Sequence, residues 1–207
     1  MISAIKVAFA VGRNGEFGLA DGLPWGKPFA EDMEAFKEFT KGCVMVMGSN
    51  TFASLPFTMK SLDRNCVVIS RDSWENPPQA KNGDLADEYA CTNGVPLESM
   101  LQHFSHSYNK PVCVIGGASL IEQAIPLADF VLFTTVSRED GDKMLSSTNL
   151  DFNALRLKEL EVSAFGGGRK VLKPTCTLEK VCTEREYVYT IRKLEPMMVS
   201  QYESWWK

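Results

Sequence analysis

The stretch PVCVIGGASLIEQAI, residues 111–125, combines a short β-branched apolar run, a Gly-Gly pair and a segment with helical spacing of apolar residues. These three patterns predict a buried strand, a turn and a helix, in that order. Four more apolar runs have strand length: 2–11, 43–47, 66–70 and 130–136. Helices are predicted at 29–40, 50–55, 97–106 and 118–125. Strands that alternate with helices predict an α/β fold with a largely parallel sheet.

The pattern changes beyond residue 150. Segments 157–165 (LKELEVSAF) and 185–194 (REYVYTIRKL) alternate apolar and polar residues, with no helical segment between them. This alternation predicts an antiparallel pair that closes one edge of the sheet. The stretch 72–95 is rich in Pro, Asn, Asp and Gly, so we expect a surface connection there, with a short strand at about 85–91.

Composition limits the classes of protein to which this chain can belong. Its 207 residues, 44% of them hydrophobic and 23% charged, suit one soluble globular domain. A net charge of −4 without a Lys/Arg-rich run argues against a nucleic-acid partner. The sequence shows neither a signal peptide nor a membrane span, so we expect a cytoplasmic protein.

The potential metal ligands of the sequence do not form a recognisable set. Six cysteines occur without a C-x-x-C pair, and we expect them to be reduced and mostly in the core. His103 and His106 form H-x-x-H, but no Cys, Asp or Glu is placed to complete a site. We therefore predict no metal.

One acidic residue falls on the apolar side of the first predicted helix. On a helical wheel, Asp32 lies within a stripe formed by Phe29, Met33, Phe36 and Phe39. Burying a carboxylate among aromatic side chains raises its pKa and requires a hydrogen-bonding partner. Two explanations stay open: the carboxylate binds N–H groups of its own helix turn, or it binds a ligand with N–H donors.

Two predicted strands end in glycine-bearing turns that open helices: Gly48 leads into 49–51, and Gly116-Gly117 open the next helix. In open α/β sheets, ligands collect at the carboxyl ends of the strands, where helix N-termini attract anions. Two such turns suit the two phosphates of a dinucleotide, although glycine also makes ordinary strand-to-helix turns. The G-x-G-x-x-G spacing is absent. Arg71 places a guanidinium near a strand end, which favours NADP(H) over NAD(H).

Five ordered motifs resemble those of a known family: GLPW (22–25), EDMEAFK (31–37), VMGSNTFASLP (46–56), LDRNCVVISRD (62–72) and VIGGASLIEQAIP (114–126). In this order and spacing, the chain resembles the dihydrofolate reductases over about residues 2–192. The resemblance implies a single domain, 1–193, followed by a C-terminal tail, 194–207. It also implies an eight-stranded, mostly parallel sheet with a C-terminal antiparallel strand and helices on both faces.

The resemblance also implies a reaction, in which NADPH delivers a hydride to carbon 6 of dihydrofolate and nitrogen 5 gains a proton. Asp32 is implied to bind the 2-amino group and N3 of the pterin ring and to promote protonation. Trp25 is implied to help hold a water near that carboxylate, and Thr134 to hydrogen-bond it. Leu23 belongs to a loop, 15–23, that is implied to close over the nicotinamide.

Two binding sets follow from the same resemblance. Besides Asp32 and Thr134, the substrate set comprises Ala8, Met33, Phe36, Leu55, Arg64 and Ile115. Arg64 is implied to pair with the α-carboxylate of the glutamate tail. The NADPH set comprises Ala10, Phe17, Gly18, Gly48, Ser49, Asn50, Thr51, Ile69, Ser70, Arg71, Ile115, Gly116, Gly117, Ala118, Ser119, Leu120 and Ile121. Antifolates are further ligands that the resemblance implies.

Four residues depart from the family pattern. Ser49-Asn50 replace a frequent basic pair, Ile121 replaces a frequent aromatic residue, and Lys143 replaces a usual threonine in the loop expected to support 15–23. Two alternatives stay open: a reductase of the same fold acting on another pterin or a pyrimidine, and a noncatalytic protein that retains the fold. The C-terminal pair Trp205-Trp206 is expected either to pack on the domain or to contact a protein partner.

Overall fold

The computed structural model describes residues 4–20, 22–58, 63–71, 75–141, 144–151, 171–182 and 187–197, with the backbone alone for 171–182 and 195–197. Ten strands are numbered in chain order: β1 (Ile5–Gly12), β2 (Glu16–Gly18), β3 (Val44–Gly48), β4 (Asn65–Ser70), β5 (Glu88–Cys91), β6 (Val112–Gly116), β7 (Phe130–Arg138), β8 (Thr148–Asn149), β9 (Val171–Cys182) and β10 (Tyr187–Met197). Eight of these form the main sheet, and β2 pairs separately with β8.

The main sheet has the strand order β5-β4-β3-β6-β1-β7-β10-β9. All neighbours are parallel except β10, which runs antiparallel to both β7 and β9. The predicted α/β fold with a mostly parallel eight-stranded sheet is therefore confirmed. Because β3 and β6 are adjacent, the two glycine-bearing turns that follow them lie side by side at the carboxyl edge.

Four helices flank this sheet: α1 (Ala30–Thr40), α2 (Ser49–Ser54), α3 (Leu97–Tyr108) and α4 (Ala118–Ala124). A 3-10 turn follows α4 at Ile125–Leu127. The helices cover both faces, because α1 and α2 bury Phe39 and Phe52 in one apolar core, whereas α3 and α4 bury Phe104 and Ile121 in the other. No helix in the described part of the chain is both long and apolar enough to cross a membrane.

The C-terminal antiparallel pair differs from its prediction in one strand. The strand predicted at 185–194 is present as β10, but its partner is β9, which the sequence patterns did not predict. The segment 157–165 lies outside the described residues. In addition, β10 continues to Met197, past the expected end of the domain at residue 193. The short strand expected at about 85–91 is β5, an edge strand beside β4.

Candidate active site

Asp32 lies in the first turn of α1, which packs beside the adjacent strands β1 and β7. The hydroxyl of Thr134, fully buried in β7, donates a hydrogen bond to Asp32 Oδ1 at 2.5 Å. Burial raises the pKa of Asp32, and the hydrogen bond from Thr134 opposes part of that rise because it favours the ionised form. Among the described residues, no helix N–H donates to this carboxylate, and the N-cap is Phe29. The structure therefore favours the ligand explanation over helix capping.

Trp25 precedes α1 and is buried, with 4% exposure. Its indole Nε1 is fully covered and has no acceptor among the residues that the structure describes. A buried N–H group normally has a partner, so this donor marks a position for a water or a ligand acceptor. Trp25 belongs to the α1 and α2 core, and Leu23, two residues earlier, is half-buried against the same core. The Leu23 carbonyl accepts the Gly26 N–H at 2.9 Å.

The side chains predicted to surround a pterin share one apolar core, on the α1 and α2 face of the sheet. Its members from the predicted sets are Ala8, Ala10, Leu23, Trp25, Phe36, Leu55 and Ile115. Met33 is half-buried on α1 and lies outside the described members of that core. The half-buried members leave part of their apolar surface uncovered. Because Phe36 lies one helical turn after Asp32, some of this surface adjoins the carboxylate and suits a flat ring.

Arg64 contacts the far end of α1 rather than standing exposed. It is 3% exposed, and it donates through one terminal nitrogen to Lys37 O at 2.8 Å and through Nε to Thr40 O at 3.3 Å. Its guanidinium carbon lies 5.8 Å from the centre of the Phe36 ring. Burial lowers the pKa of this guanidinium, and the nearby thiols of Cys43, Cys113 and Cys66 oppose that change. Arg64 thus stabilises the carbonyl end of the helix that carries Asp32.

A surface groove adjoins this guanidinium. Its lining consists of Glu34, Ala35, Lys37, Glu38, Lys41, Asp63 and Arg64. Three acidic and three basic side chains therefore face the groove. Because the charges balance, recognition of an anion here depends on the position of a particular cation rather than on the overall potential.

The two glycine turns at the carboxyl edge lie in contact. A Cβ atom built on Gly48 would lie 3.7 Å from the Gly117 nitrogen, and one built on Gly116 would lie 2.7 Å from Thr51 Oγ1. The peptide bond between Gly116 and Gly117 is cis. Only glycine fits at Gly116, because the Thr51 side chain already occupies the space of a Cβ. Ser49 is half-buried and Asn50 exposed at the start of α2.

Arg71 is exposed directly after β4, next to the half-buried Ser70. Cys91, at the end of β5, is opposite Ser70 in the sheet, and its thiol donates to the Arg71 carbonyl at 3.2 Å. Cys91 is not among the site residues predicted from the sequence. It becomes a neighbour of Ser70 and Arg71 only once β4 pairs with β5, and no local pattern shows that pairing.

Several members of the predicted NADPH set lie on the other face of the sheet. Phe17, Ile69, Ala118, Leu120 and Ile121 all belong to the core under α3 and α4. The Ile121 side chain has 0% exposure, and its N–H donates to Gly117 O at 3.1 Å within α4. It offers no group to a ligand in this structure, so we leave Ile121 out of the proposed cofactor site. Ser119 is exposed in the first turn of α4.

The loop 15–23 is attached to residues 147–150, directly after the loop that was expected to support it. Gly18, in β2, accepts the Ser147 N–H at 2.7 Å, and Ser147 Oγ accepts the Ala20 N–H at 3.0 Å. Glu16 of the same strand is completely buried and accepts two hydrogen bonds from Asn14, at 2.9 and 3.1 Å. Lys143, the position expected to influence this loop, lies outside the described residues.

The part of the chain that the structure describes contains no group of three or more His, Cys, Asp or Glu side chains arranged to hold a metal ion.

Comparison with known proteins places these features in a family. The family model for dihydrofolate reductase matches residues 4–163. Dihydrofolate reductase of Mycoplasma pneumoniae is 29% identical over 164 residues, which cover 78% of this chain and 93% of that protein. Dihydrofolate reductase type A10 of Escherichia coli is 36% identical over 120 residues, 58% of each chain. A solved dihydrofolate reductase from Enterococcus faecalis, complexed with NADP(H) and RAB-propyl, matches the fold with a TM-score of 0.63 at 16% identity, over 96% of this chain and 99% of that one.

Proposed function

Since this chain belongs to the dihydrofolate reductase family, we propose that it catalyses the NADPH-dependent reduction of 7,8-dihydrofolate to 5,6,7,8-tetrahydrofolate. The observation that carries the proposal is the carboxylate of Asp32, which lies beside an apolar core with the Thr134 hydroxyl as its partner. Two relatives that bear the name dihydrofolate reductase support the same activity.

The pterin ring has the chemistry that Asp32 requires. One edge of the ring presents the 2-amino group and N3–H as two parallel donors, and an ionised carboxylate accepts about four hydrogen bonds. Asp32 can therefore keep its hydrogen bond from Thr134 while it accepts both ring donors. These bonds offset the cost of burying the charge. The raised pKa of Asp32 also keeps a proton at this end of the pocket closer to neutral pH than an ordinary carboxyl group does.

The surrounding residues orient the substrate in this proposal. Phe36, Leu55 and Ile115 provide apolar surface for the rings, and Trp25 Nε1 holds a water at the pterin edge. We assign Arg64 to the α-carboxylate of the glutamate tail, because its guanidinium lies at the groove beside α1. The contacts of Arg64 with Lys37 O and Thr40 O fix the guanidinium plane, which suits bidentate recognition of a carboxylate.

The glycine turns at the carboxyl edge fit a dinucleotide. Two adjacent turns offer backbone N–H groups to its phosphates, and the hydroxyls of Ser49, Thr51 and Ser119 add neutral donors. Arg71, exposed after β4, is the cation that we assign to the 2′-phosphate. When bound there, NADPH supplies the hydride. The protein's contribution is to align the two rings and to exclude water, a role that we assign to the loop 15–23 and to Leu23, which is half-buried against the α1 and α2 core.

The direct test measures the loss of NADPH absorbance when dihydrofolate is added to the purified protein. We expect turnover that depends on both substrates and that a 2,4-diaminopyrimidine antifolate inhibits. NADPH oxidation at the background rate would support a noncatalytic protein. Turnover with another pterin or a pyrimidine, but not with dihydrofolate, would support a different reductase of the same fold.

The assignment of Arg71 has a separate test, the substitution Arg71→Gln. We expect the KM for NADPH to rise by about tenfold, because one charge-assisted contact with a phosphate is lost. The KM for NADH should stay the same, since NADH has no 2′-phosphate. Equal effects on both cofactors would contradict the assignment and leave the proposed reaction intact.

A further inference from the structure

Two neighbouring strands hold two consecutive carboxylates of α1 through hydroxyl groups. Thr134 of β7 donates to Asp32 Oδ1 at 2.5 Å, and Tyr189 of β10 donates to Glu31 Oε2 at 2.6 Å. In the antiparallel pair of β7 and β10, Tyr189 is opposite Val136, two residues along the strand from Thr134. The first turn of α1 is therefore attached to the sheet at two points.

The Tyr189 ring makes a third attachment, at the residue where α1 begins. Phe29 is the N-cap residue, and its carbonyl accepts the Met33 N–H at 3.0 Å. The rings of Tyr189 and Phe29 are stacked, with centroids 4.1 Å apart and planes 16° from parallel. Both residues are buried, with 3% and 2% exposure. Because no side chain caps the helix, aromatic packing and the Tyr189 hydroxyl define where its first turn lies.

We propose that Tyr189 is a positioning residue for Asp32, acting through Glu31 and Phe29. The inference rests on the proposed function, in which Asp32 must meet two ring donors in a fixed geometry. The bond from Thr134 holds one oxygen of Asp32, and the bond from Tyr189 to the preceding residue holds the same helix turn at a second point. Small misplacements of a reacting group lower the rate.

The decisive variants separate the hydroxyl from the ring. Tyr189→Phe keeps the stacking on Phe29 and removes the hydrogen bond to Glu31. We expect kcat for dihydrofolate reduction to fall by about three- to tenfold, less than the full energy of a hydrogen bond to a charged group, because this bond acts on Asp32 only through the neighbouring residue. The KM for NADPH should not change. Glu31→Gln should retain most of kcat, because the amide oxygen still accepts from Tyr189, whereas Glu31→Ala should match Tyr189→Phe.

The double variant Tyr189→Phe/Glu31→Ala measures whether the two residues act through one bond. We expect its kcat to equal that of either single variant, since the bond is already lost in each. Tyr187→Phe is the matched control: Tyr187 touches the same Phe29 ring edge-on, at 6.3 Å, and within the described chain its hydroxyl donates to no residue. This control should behave as wild type.

Hydrogen exchange of the amides in 33–36, the first to bond within the helix, tests the inference independently of turnover. Exchange should be faster in Tyr189→Phe than in both wild type and Tyr187→Phe. Unchanged kcat and unchanged exchange in Tyr189→Phe would overturn the inference, as would an equal rise of both KM values with a lowered melting temperature. If wild type does not reduce dihydrofolate, the proposed function fails, and the exchange comparison alone decides whether Tyr189 fixes the helix turn.

Discussion

The protonation of one carboxylate controls the chemistry at the residue scale. Burial raises the pKa of Asp32, and the hydrogen bond from the Thr134 hydroxyl opposes part of that rise. Its pKa is therefore higher than that of an exposed aspartate and lower than that of a buried aspartate without a hydrogen-bond donor. Folding disfavours the ionised form of such a group. Asp32 therefore costs stability at pH values above its folded pKa, and this cost disappears below about pH 4, near the pKa of an unfolded aspartate.

Asp32→Asn is expected to lower kcat by roughly a hundredfold or more, because the group that promotes protonation is lost. The melting temperature at pH 7 should be equal to or higher than that of wild type, since a group whose ionised form is disfavoured by folding is replaced by a neutral one. This difference should diminish as the pH falls below the folded pKa of Asp32. Turnover near the wild-type rate would falsify the role of this residue.

Thr134→Val tests the hydroxyl at nearly constant volume. Without the hydrogen bond that favours the ionised form, the pKa of Asp32 should rise further. The reduction rate falls as the pH rises and Asp32 loses its proton, so the pH at which the rate is half of its maximum should move upward. Thr134→Ser, which keeps a donor, should retain the wild-type midpoint. A midpoint that stays in place or moves downward in the valine variant would show that this bond does not set the pKa.

The sequence analysis predicted Asp32 but not the contacts that hold it. A helical wheel reveals a carboxylate in an apolar stripe, because only local spacing is needed. The bond between Tyr189 and Glu31 joins residues 158 positions apart, and no local pattern encodes it. Glu31 falls on the charged side of the same helical wheel, which gives no sign of a partner on a distant strand. The two contacts of Arg64 with α1 carbonyls likewise join the last part of the helix to the residue before β4, a proximity that no local pattern encodes.

At the scale of elements, the central strands were predictable because both of their faces are buried. Their β-branched runs are nearly continuous, as parallel strands between helices require. Strand β9 was missed because VLKPTCTLEKVC carries lysines and a proline, which argue against a central strand. In the structure β9 is an edge strand, and edge strands accommodate lysine and proline. Pro174 is opposite Leu194, at the point where the register between β9 and β10 shifts.

Gly12→Ala probes the junction between β1 and the loop 15–23. A Cβ atom at Gly12 would overlap the side chain of Glu16 and lie 2.6 Å from the Met144 methyl carbon. Because Glu16 is completely buried, neither side chain can move into solvent without losing contacts. We expect a loss of about 1–3 kcal/mol in the free energy of unfolding, as for other overpacked sites.

Urea-induced unfolding measures this loss, and Gly22→Ala in the same loop is the control. A Cβ at Gly22 would meet its nearest neighbour, the Leu19 carbonyl oxygen, at an ordinary 3.8 Å. The control should therefore change the free energy of unfolding by no more than about 0.5 kcal/mol. Equal stability of the two variants would mean that the buried Glu16 adapts to the added methyl group.

The whole molecule is organised around a sheet with a core on each face. Strand β10 contributes to both, since Tyr189 and Ile191 belong to the α1 and α2 core and Leu194 to the other. It also carries the hydroxyl that reaches Glu31. We therefore assign β10 a part in the candidate site as well as in the fold, although it lies far along the chain from the motifs that predicted that site.

Two truncations should have opposite outcomes. Deletion of 198–207 leaves every described member of the two cores in place, since those members lie at or before Leu194, so the shortened chain should still fold and reduce dihydrofolate. Deletion of 171–207 removes β9 and β10, exposes the edge of β7 and opens both cores, so the product should not fold. Circular dichroism and thermal unfolding distinguish these outcomes. A lower melting temperature of the shorter deletion would show that the Trp205-Trp206 pair packs on the domain, whereas unchanged stability leaves the pair available to a protein partner.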